Sequence, residues 1–472
     1  MREGRIFEAI KGERCAVVGI GISNIPLIDF LLENGASVVA YDEKDADKMA
    51  DTAALLSKKG VPLVSGNGAF DAIGERIIFR SPGVRPDKGA LATASLRGAL
   101  TVSEMELFFE LCPAKKYAIT GSDGKTTTTT LTHLFLDAGK KRDGASAYVG
   151  GNIGAPLLPR VFEMTENDAA VLELSSFQLM GSWCEADAVA ITNITPNHLN
   201  WHTGMDEYIC AKSSIVGKSA KRVVLNADDE ICRSFDFGER EYIFFSSTKD
   251  NYREVVQNRC GKAVFLRDGV IYISDGECES ALLSVNEIKL PGKHNIENYM
   301  TAIALTYGDV DIGIYREVAK SFGGVPHRLE LVATLSGVRY YNSSIDSSPT
   351  RTAAALSALD KKPIIICGGA QKGISFEPLA VSLGKYAKAV VLNGASRGVM
   401  LDAIRENREC DSLEVRVVET LGEAIVCASG MAKKGDIVLL SPAATSFDQF
   451  KNFEQRGEFF KNFVLSLNCD EN

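Results

Sequence analysis

No apolar run in this 472-residue chain approaches the roughly 18 residues of a membrane-spanning helix. The start, Met1-Arg-Glu-Gly-Arg-Ile, leads into mixed charge. It lacks the apolar core and small-residue cleavage site of a signal peptide, so the cytoplasm is the expected compartment. There is no CxxC pair, and the 11 cysteines are scattered and odd in number. That argues against a disulfide framework or a zinc site, and for buried thiols in a reducing compartment. There is no basic excess either: the net charge of −9 disfavours a general nucleic-acid binder. Clustered Lys, Arg and helix N-termini can still hold an anion locally, but Lys140-Lys141-Arg142, past a helix end, reads as solvated surface. No repeat at a fixed 20–50-residue period and no low-complexity tract is visible.

What remains is an ordinary globular balance, 45% hydrophobic and 24% charged. At about 100–200 residues per domain the length calls for two to four domains. The first segment opens with a strand, Cys15 to Gly19, then Gly19-Ile-Gly21-Ile-Ser-Asn24, a helix to Glu33 and a strand Ser37 to Asp42, which is a βαβ unit. A strand Arg76 to Arg80 runs into Ser81-Pro82-Gly83, and a helix Ser103 to Leu111 closes the segment. A second unit has strands at Lys116 to Thr120, Ala169 to Leu174, Ala188 to Thr192 and Arg222 to Asn226. Short pieces at Tyr242 to Phe245, Ala263 to Leu266 and Val270 to Ile273 look like hairpins and predict an antiparallel extension. A helix from about Asn295 to Tyr307 ends it. The third unit has strands at Arg339 to Asn342, Pro363 to Cys367, Ala389 to Asn393, Glu414 to Val418 and Asp436 to Leu440. The pattern is α/β three times over, with parallel sheets expected in each unit.

The most specific local signal is Thr120-Gly121-Ser122-Asp123-Gly124-Lys125-Thr126, which follows a strand and opens a helix. Glycines let backbone N–H groups turn toward phosphate oxygens, Lys125 adds charge, the helix N-terminus adds its dipole, and Thr126 can hold Mg²⁺. A nucleotide such as ATP is therefore expected here. The first Gly of the GxxxxGK[ST] pattern would fall at position 119, which is Ile, and the threonine run to Thr130 is unusual for a helix. Gly19-Ile-Gly21 looks like part of a dinucleotide fingerprint, but its third glycine position holds Asn24, with Asp42 near the usual acidic distance. A nicotinamide cofactor, another diphosphate nucleotide, or a tight turn with no ligand all fit that segment.

Three further clusters are polar where a core would be apolar. Gly150-Gly-Asn152-Ile-Gly154 is a turn presenting Asn152. Glu173-Leu-Ser175-Ser-Phe-Gln178 begins at a strand's C-terminal end, where open α/β sheets put ligands, and Glu173 could hold Mg²⁺. Asn193 to His202 follows another strand end and carries two of the five histidines. His198 is the candidate metal ligand, and His202 is expected to pack or hydrogen-bond.

TGSDGKTTTT, GGNIG, ELSSFQL, AITNITPNHLNWH, GKHNIEN, PHRLE and SPAATSFDQFKNFEQRGEFF occur in the order found in the Mur ligases. The chain resembles that family over nearly its whole length, and ELSSFQL and the last block resemble its D-glutamate-adding branch. The family loop, TGxxGKTT, accounts for the missing glycine at Ile119. The resemblance implies three domains. They are a Rossmann-like UDP-substrate domain (1–111), a central P-loop-type ATPase domain with a parallel sheet (112–324) and a Rossmann-like C-terminal amino-acid domain (325–472). It implies an ATP-dependent amide ligase of peptidoglycan synthesis, acting through an acyl phosphate on UDP-MurNAc-L-Ala and D-glutamate. A monomer is expected.

By motif match, Ile22, Ser23, Asp42 and Gly83 would lie on the uridine and diphosphate, with Asn152, Ser175 and Gln178 also toward that substrate. That replaces the nicotinamide reading. Gly121, Ser122, Asp123, Gly124, Lys125, Thr126 and Thr127 would hold ATP phosphates, Asn295 and Asn298 would lie near adenine, and Arg328 would reach the phosphates. Thr126, Glu173, His198 and a carbamylated Lys212 would hold two Mg²⁺ ions, with Asn152 and His198 near the reacting carboxylate. Lys372, Ser446, Phe447 and Phe453 would hold D-glutamate. Without the resemblance, Lys212 reads as a solvated helix lysine, and Phe447 and Phe453 read equally as helix packing.

One block departs. Where the family has NDSKATN, this chain has Asn342-Ser343-Ser344-Ile345-Asp346-Ser347-Ser348, so the usual Asp is Ser343 and the usual Lys is Ile345. A nucleotide-ribose contact and a glutamate-carboxylate contact are affected, and Arg351 or Lys372 is the candidate to compensate. Rival readings are a ligase of the same superfamily with another amino acid or a folate substrate, a dehydrogenase, and a catalytically silent nucleotide-binding partner. The uridine-domain loop and SFDQFKNF oppose the first, and Asn24 breaks the second's GxGxxG. The third predicts loss of Lys125, Glu173, His198 or Lys212, and all four are present.

Overall fold

The structure is a computed structural model and describes residues 6–21, 24–87, 89–199, 201–248, 261–290, 292–370 and 375–467. The expected sites Ile22, Ser23 and Lys372 lie outside the described residues. Two compact units emerge, Met1–Phe322 and Gly323–Asn472. Three sheets run through them, each flanked by helices, in an α/β architecture.

The first sheet contains β1 (Arg14–Val18), β2 (Ser37–Asp42), β3 (Leu63–Ser65), β4 (Ile77–Arg80) and β5 (Leu100–Val102), in the order β3-β2-β1-β4-β5. All its pairings are parallel. The central strand β1 is buried along Cys15 to Val18, the near-continuous apolar run expected of a sheet covered on both faces. The order reverses beside β1, which opens a crevice at the C-terminal ends of β1 and β4.

The second sheet contains β6 (Lys115–Thr120), β7 (Ala147–Gly151), β8 (Ala169–Glu173), β9 (Ala188–Ile191), β10 (Arg222–Asn226), β11 (Glu241–Ser246), β12 (Lys262–Arg267), β13 (Val270–Ser274) and β14 (Glu279–Ser284). Its order is β14-β13-β12-β11-β10-β9-β6-β8-β7. The hairpin expectation is corrected in part. β11 pairs parallel with both β10 and β12, and the antiparallel extension starts only at β12–β13 and continues to β14. The helix Lys125–Arg142 follows β6 directly. Its threonines are accommodated by back-bonding: Thr130 Oγ1 donates to the Thr126 carbonyl and Thr132 Oγ1 to the Thr128 carbonyl, both at 2.8 Å.

In the second unit β15 (Glu330–Leu335), β16 (Val338–Asn342), β17 (Ile364–Gly368), β18 (Ala389–Asn393), β19 (Glu414–Val417) and β20 (Ile437–Leu440) form a sheet ordered β15-β16-β20-β17-β18-β19. β15 pairs antiparallel with β16, so this sheet is not purely parallel as expected. No helix among the described residues is long and apolar enough to cross a membrane. The nine described cysteines are all free, and most are buried.

Candidate active site

The ends of β6, β8 and β9 converge on the loop Thr120–Lys125. Gly121 and Gly124 have φ of 149° and 79°, a region where a side chain is strained. A Cβ at Gly121 would collide with Thr192 Oγ1, and one at Gly124 with Asn298 Oδ1. Hydrogen bonds pin the loop: Ser122 Oγ lies 2.9 Å from Tyr208 Oη, the Asp123 amide donates to Asn193 Oδ1 at 2.9 Å, and Thr192 Oγ1 donates to the Asp123 carbonyl at 2.6 Å. Lys125 Nζ donates to the Gly121 and Ser122 carbonyls at 2.9 and 2.8 Å. Thr126 and Thr127 sit partly exposed in the first helical turn, where amide dipoles favour phosphate. Asn298 and Asn295 are buried behind the loop rather than open to it. Thr128 Oγ1 donates to Asn298 Oδ1, and Asn298 Nδ2 donates to Asn295 Oδ1, both at 3.2 Å.

Glu173 ends β8 and is 1% exposed. Its Oε1 accepts Asn152 Nδ2 at 2.8 Å, while its Oε2 is buried with no hydrogen-bond partner. An orphaned carboxylate oxygen is a costly arrangement unless a cation completes it, so Glu173 fits a Mg²⁺ ligand. The Asn152 amide also donates to the Glu173 carbonyl at 2.8 Å, and a Cβ at Gly151 would strike that carbonyl. His198 is exposed, with φ of 55° and its ring 4.9 Å from that of Phe177. Partial burial, then the charges of Lys125 and Lys212, push its pKa down and favour the neutral, metal-binding ring.

Lys212 is not a solvated lysine: it is 1% exposed, with Nζ donating to the Gly121 carbonyl at 2.6 Å. Burial, then the Lys125 charge, bring its pKa down to about 7. Lys125, Glu173, Asn152 and Lys212 are thus drawn to one group of strand ends. Among the described residues no group of three or more His, Cys, Asp and Glu is arranged to hold a metal. Any ion here would use hydroxyl, carboxylate and phosphate oxygens with one imidazole nitrogen, a set dominated by oxygen, which suits Mg²⁺ with its preference for oxygen and water.

Ser175 and Gln178 turn out to serve each other. Ser175 caps the short helix Ser176–Leu179, its Oγ accepting the Gln178 amide, while Gln178 Oε1 accepts the Ser175 amide at 3.0 Å. His202 packs and hydrogen-bonds as expected, stacking on Phe177 with 7° between the rings.

A cleft of about 510 Å³ opens at the switch point of the first sheet, lined by Gly19, Ile20, Gly21, Asp42, Ser81 and Val84 among others. Asp42 Oδ2 accepts the Ile20 amide at 2.8 Å and Oδ1 the Lys44 amide at 3.0 Å, so it shapes the turn that borders the cleft. Asn24, at the third fingerprint position, donates to the Gly19 carbonyl at 2.6 Å. Gly83 is exposed beside the cleft, on the loop that follows β4.

In the second unit Arg328 is exposed between His327 and Leu329, whose φ values of 63° and 43° mark a strained turn. Ser446 is buried and Phe447 is 68% exposed, on the loop after β20. Phe453 packs edge-on against His327 at 6.1 Å. In the departing block Asp346 is buried and accepts Ser441 Oγ at 2.9 Å, and its pKa is raised by burial. Arg351 Nη1 donates to the Ile345 carbonyl at 3.3 Å, and its charge lies close enough to Asp346 to act on that carboxyl. Sequence reading missed Arg456. This buried guanidinium donates to the Ser344 hydroxyl at 3.0 Å and to the Ser344 and Ala444 carbonyls at 2.8 and 3.1 Å. It ties the departing block to the loop after β20. The stretch FEQRGEFF carries Glu454, Arg456 and Glu458 together, so nothing in the sequence marks Arg456 as the buried one.

Two family models match the chain: the Mur ligase middle domain over residues 119–306, and the Mur ligase glutamate ligase domain over residues 327–444. A protein of Clostridium beijerinckii named UDP-N-acetylmuramoylalanine--D-glutamate ligase is 42% identical over 466 residues, covering 98% of each chain. One of the same name from Acetivibrio thermocellus is 41% identical over 467 residues, covering 97% of each. The crystal structure of the UDP-N-acetylmuramate-alanine ligase of Thermotoga maritima shares the fold, with a TM-score of 0.53 at 19% identity, over 97% of this chain and 100% of that one. With full-length relatives above 40% identity and two family domains matched along it, the chain belongs to the Mur ligase family.

Proposed function

We propose that this chain joins D-glutamate to the alanyl carboxylate of UDP-N-acetylmuramoyl-L-alanine, consuming ATP and releasing ADP and phosphate, as a cytoplasmic, monomeric enzyme of peptidoglycan synthesis. The observation that carries the chemistry is the meeting of Lys125, the unpartnered Glu173 oxygen and buried Lys212 at one loop. The substrate identity is supported by relatives of that name along the whole length.

Residues 1–111 take the UDP portion in the cleft at Gly19 and Asp42, residues 112–324 take ATP, and residues 325–472 take the amino acid. A carboxylate is a poor acylating agent. Its oxygen attacks the γ-phosphorus, a P–O bond to ADP breaks, and an acyl phosphate forms. The D-glutamate amine, after losing a proton, then attacks the carbonyl carbon. The C–N bond forms, the C–O bond breaks, and phosphate leaves. Positioning and charge neutralisation are the main tasks of such a site. Lys125 holds the β/γ-phosphates and Asn152 orients Glu173; Thr126, Glu173 and His198 would hold Mg²⁺, which would neutralise phosphate oxygens. Lys212 acts as a carbamate: its ammonium gives up one proton, the neutral amine adds to CO₂ with loss of a second, and a buried cation is converted into an anion that would bind metal. Lys372, Ser446, Phe447 and Phe453 hold D-glutamate.

The test is phosphate release with ATP, Mg²⁺ and UDP-MurNAc-L-Ala against D-Glu, L-Glu, D-Asp and meso-diaminopimelate. Release with D-Glu alone is expected. Silence with D-Glu and turnover with another amino acid would move the chain to a different specificity within the family.

A further inference from the structure

The helix Met205–Ser213 sends side chains to three places. Glu207 accepts both ends of the Arg85 guanidinium, Oε1 from Nη1 at 3.0 Å and Oε2 from Nη2 at 2.9 Å. Tyr208 Oη meets Ser122 Oγ at 2.9 Å, and Lys212 Nζ donates to the Gly121 carbonyl at 2.6 Å. This short helix therefore holds the phosphate loop at two points, through Tyr208 in its middle and Lys212 near its C-terminal end. Glu207, next to Tyr208 in its first turn, holds Arg85.

Arg85 sits on the loop after β4, the same loop whose Ser81 and Val84 line the 510 Å³ cleft. Arg85 Nη1 also donates to the Trp201 carbonyl at 2.9 Å, its guanidinium lies 5.0 Å from the Trp201 ring, and Trp201 Nε1 donates to the Gly83 carbonyl at 3.4 Å. Glu207 reaches further through His202: His202 Nδ1 is 2.9 Å from Glu207 Oε1, and its Nε2 is 3.0 Å from Ser176 Oγ. The fork between Arg85 and Glu207 is bidentate and largely shielded, with side chains 12% and 21% exposed, the geometry in which an ion pair fixes orientation rather than merely adding charge.

We propose that the Arg85–Glu207 pair is a positioning device that couples occupancy of the cleft at Gly19 to the phosphate loop and Lys212, so that the UDP-sugar substrate and the nucleotide tighten each other's binding. A ligand that orders the wall Ser81–Val84 fixes Arg85. Arg85 then holds the helix with Tyr208 and Lys212 against Gly121 and Ser122. Linkage makes the effect reciprocal, so the nucleotide must tighten the cleft ligand by the same factor. The inference rests on the reading of that cleft as the UDP-sugar site.

The experiment measures dissociation constants on the full chain by calorimetry, for UDP-MurNAc-L-Ala and for a non-hydrolysable ATP analogue, each alone and each with the other saturating. In the natural protein each ligand should tighten the other about tenfold, within the usual range of couplings between sites. Arg85→Gln and Glu207→Gln should each reduce that enhancement below twofold while leaving each ligand's own constant within about threefold. Arg85→Lys should keep part of it, and the double variant should lose no more than either single one. No mutual enhancement in the natural protein, or enhancement that survives in both variants, would overturn the proposal. So would a loss of binding by each ligand alone that matches a drop in melting temperature, since that is what a purely structural pair predicts. Failure of UDP-MurNAc-L-Ala to bind the natural protein at all would instead remove the cleft reading on which the coupling stands.

Discussion

Glu173 spends one oxygen on Asn152 and leaves the other buried with no partner. Glu173→Gln keeps an acceptor for Asn152 but puts an uncharged amide where the cation is expected. The half-saturating Mg²⁺ concentration for phosphate release should rise at least about tenfold with little change in melting temperature, because a carboxylate–cation contact is lost without a cavity. Magnesium dependence equal to that of the natural protein would remove Glu173 from the ligand set. Lys212→Ala should lose most activity, and added short carboxylates should restore part of it. Full activity without them would reject the carbamate. Glu104 makes a different prediction. It is buried, its Oε1 has no partner, and burial raises its pKa to about 7. A carboxyl with a raised folded-state pKa binds more protons folded than unfolded. The stability it contributes is present at low pH and falls as pH rises from about 4.5 toward 7. Glu104→Gln should therefore melt like the natural protein at pH 4.5 and a few degrees higher at pH 8, as scanning calorimetry would read. An equal difference at both pH values would contradict that sign. At this scale the sequence was legible where chemistry is contiguous. The phosphate loop lies within seven residues, and Lys125 and Thr126 could be read directly. The resemblance places Ser175 and Gln178 toward the substrate; their spacing is also that of a capping box, which the structure shows. Arg85 and Glu207 were invisible because 122 residues separate them.

At the scale of elements, the phosphate loop depends on two glycines held by different neighbours. A methyl at Gly121 meets Thr192 Oγ1, and one at Gly124 meets Asn298 Oδ1, each in a backbone region that disfavours a side chain. Gly121→Ala should weaken binding of an ATP analogue by more than about tenfold while UDP-MurNAc-L-Ala affinity alone changes little, because the strain falls on the loop and not on the first sheet. Unchanged analogue affinity would mean that the loop can shift without cost. Element type was legible wherever an apolar run met a helical period. The relation between β11 and β12 was not. Both are short and apolar, which reads as a hairpin, but the segment between Ser246 and Lys262 is long enough to return the chain parallel. β15 escaped notice for a related reason: none of its residues is fully buried, so its pattern is weak.

At the scale of the molecule, the two units each enclose buried cores of their own, one set built on β1, β6 and their neighbours and the other on β16, β17 and β20. Calorimetry of the full chain should resolve two unfolding transitions, because units with separate cores unfold as separate cooperative blocks. The ATP analogue should raise the transition that reports residues 6–322. A single transition with a matching van't Hoff enthalpy would show one cooperative block instead.

The placement of the departing block gives this arrangement an evolutionary consequence. Ser343, Ile345 and Asp346 follow β16 in the third sheet, while Glu173 ends a strand of the second and Lys125 and Lys212 lie on helices of that same part of the chain. Under the proposed function, amino-acid choice and carboxylate activation are carried by segments with independent cores. Substitutions can accumulate in the turn at Ser343, buttressed by Arg456, without touching the groups that transfer phosphate. A lineage can thus drift in what it joins while conserving how it joins it, and the exchanges at Ser343 and Ile345 are the kind of change that separation tolerates.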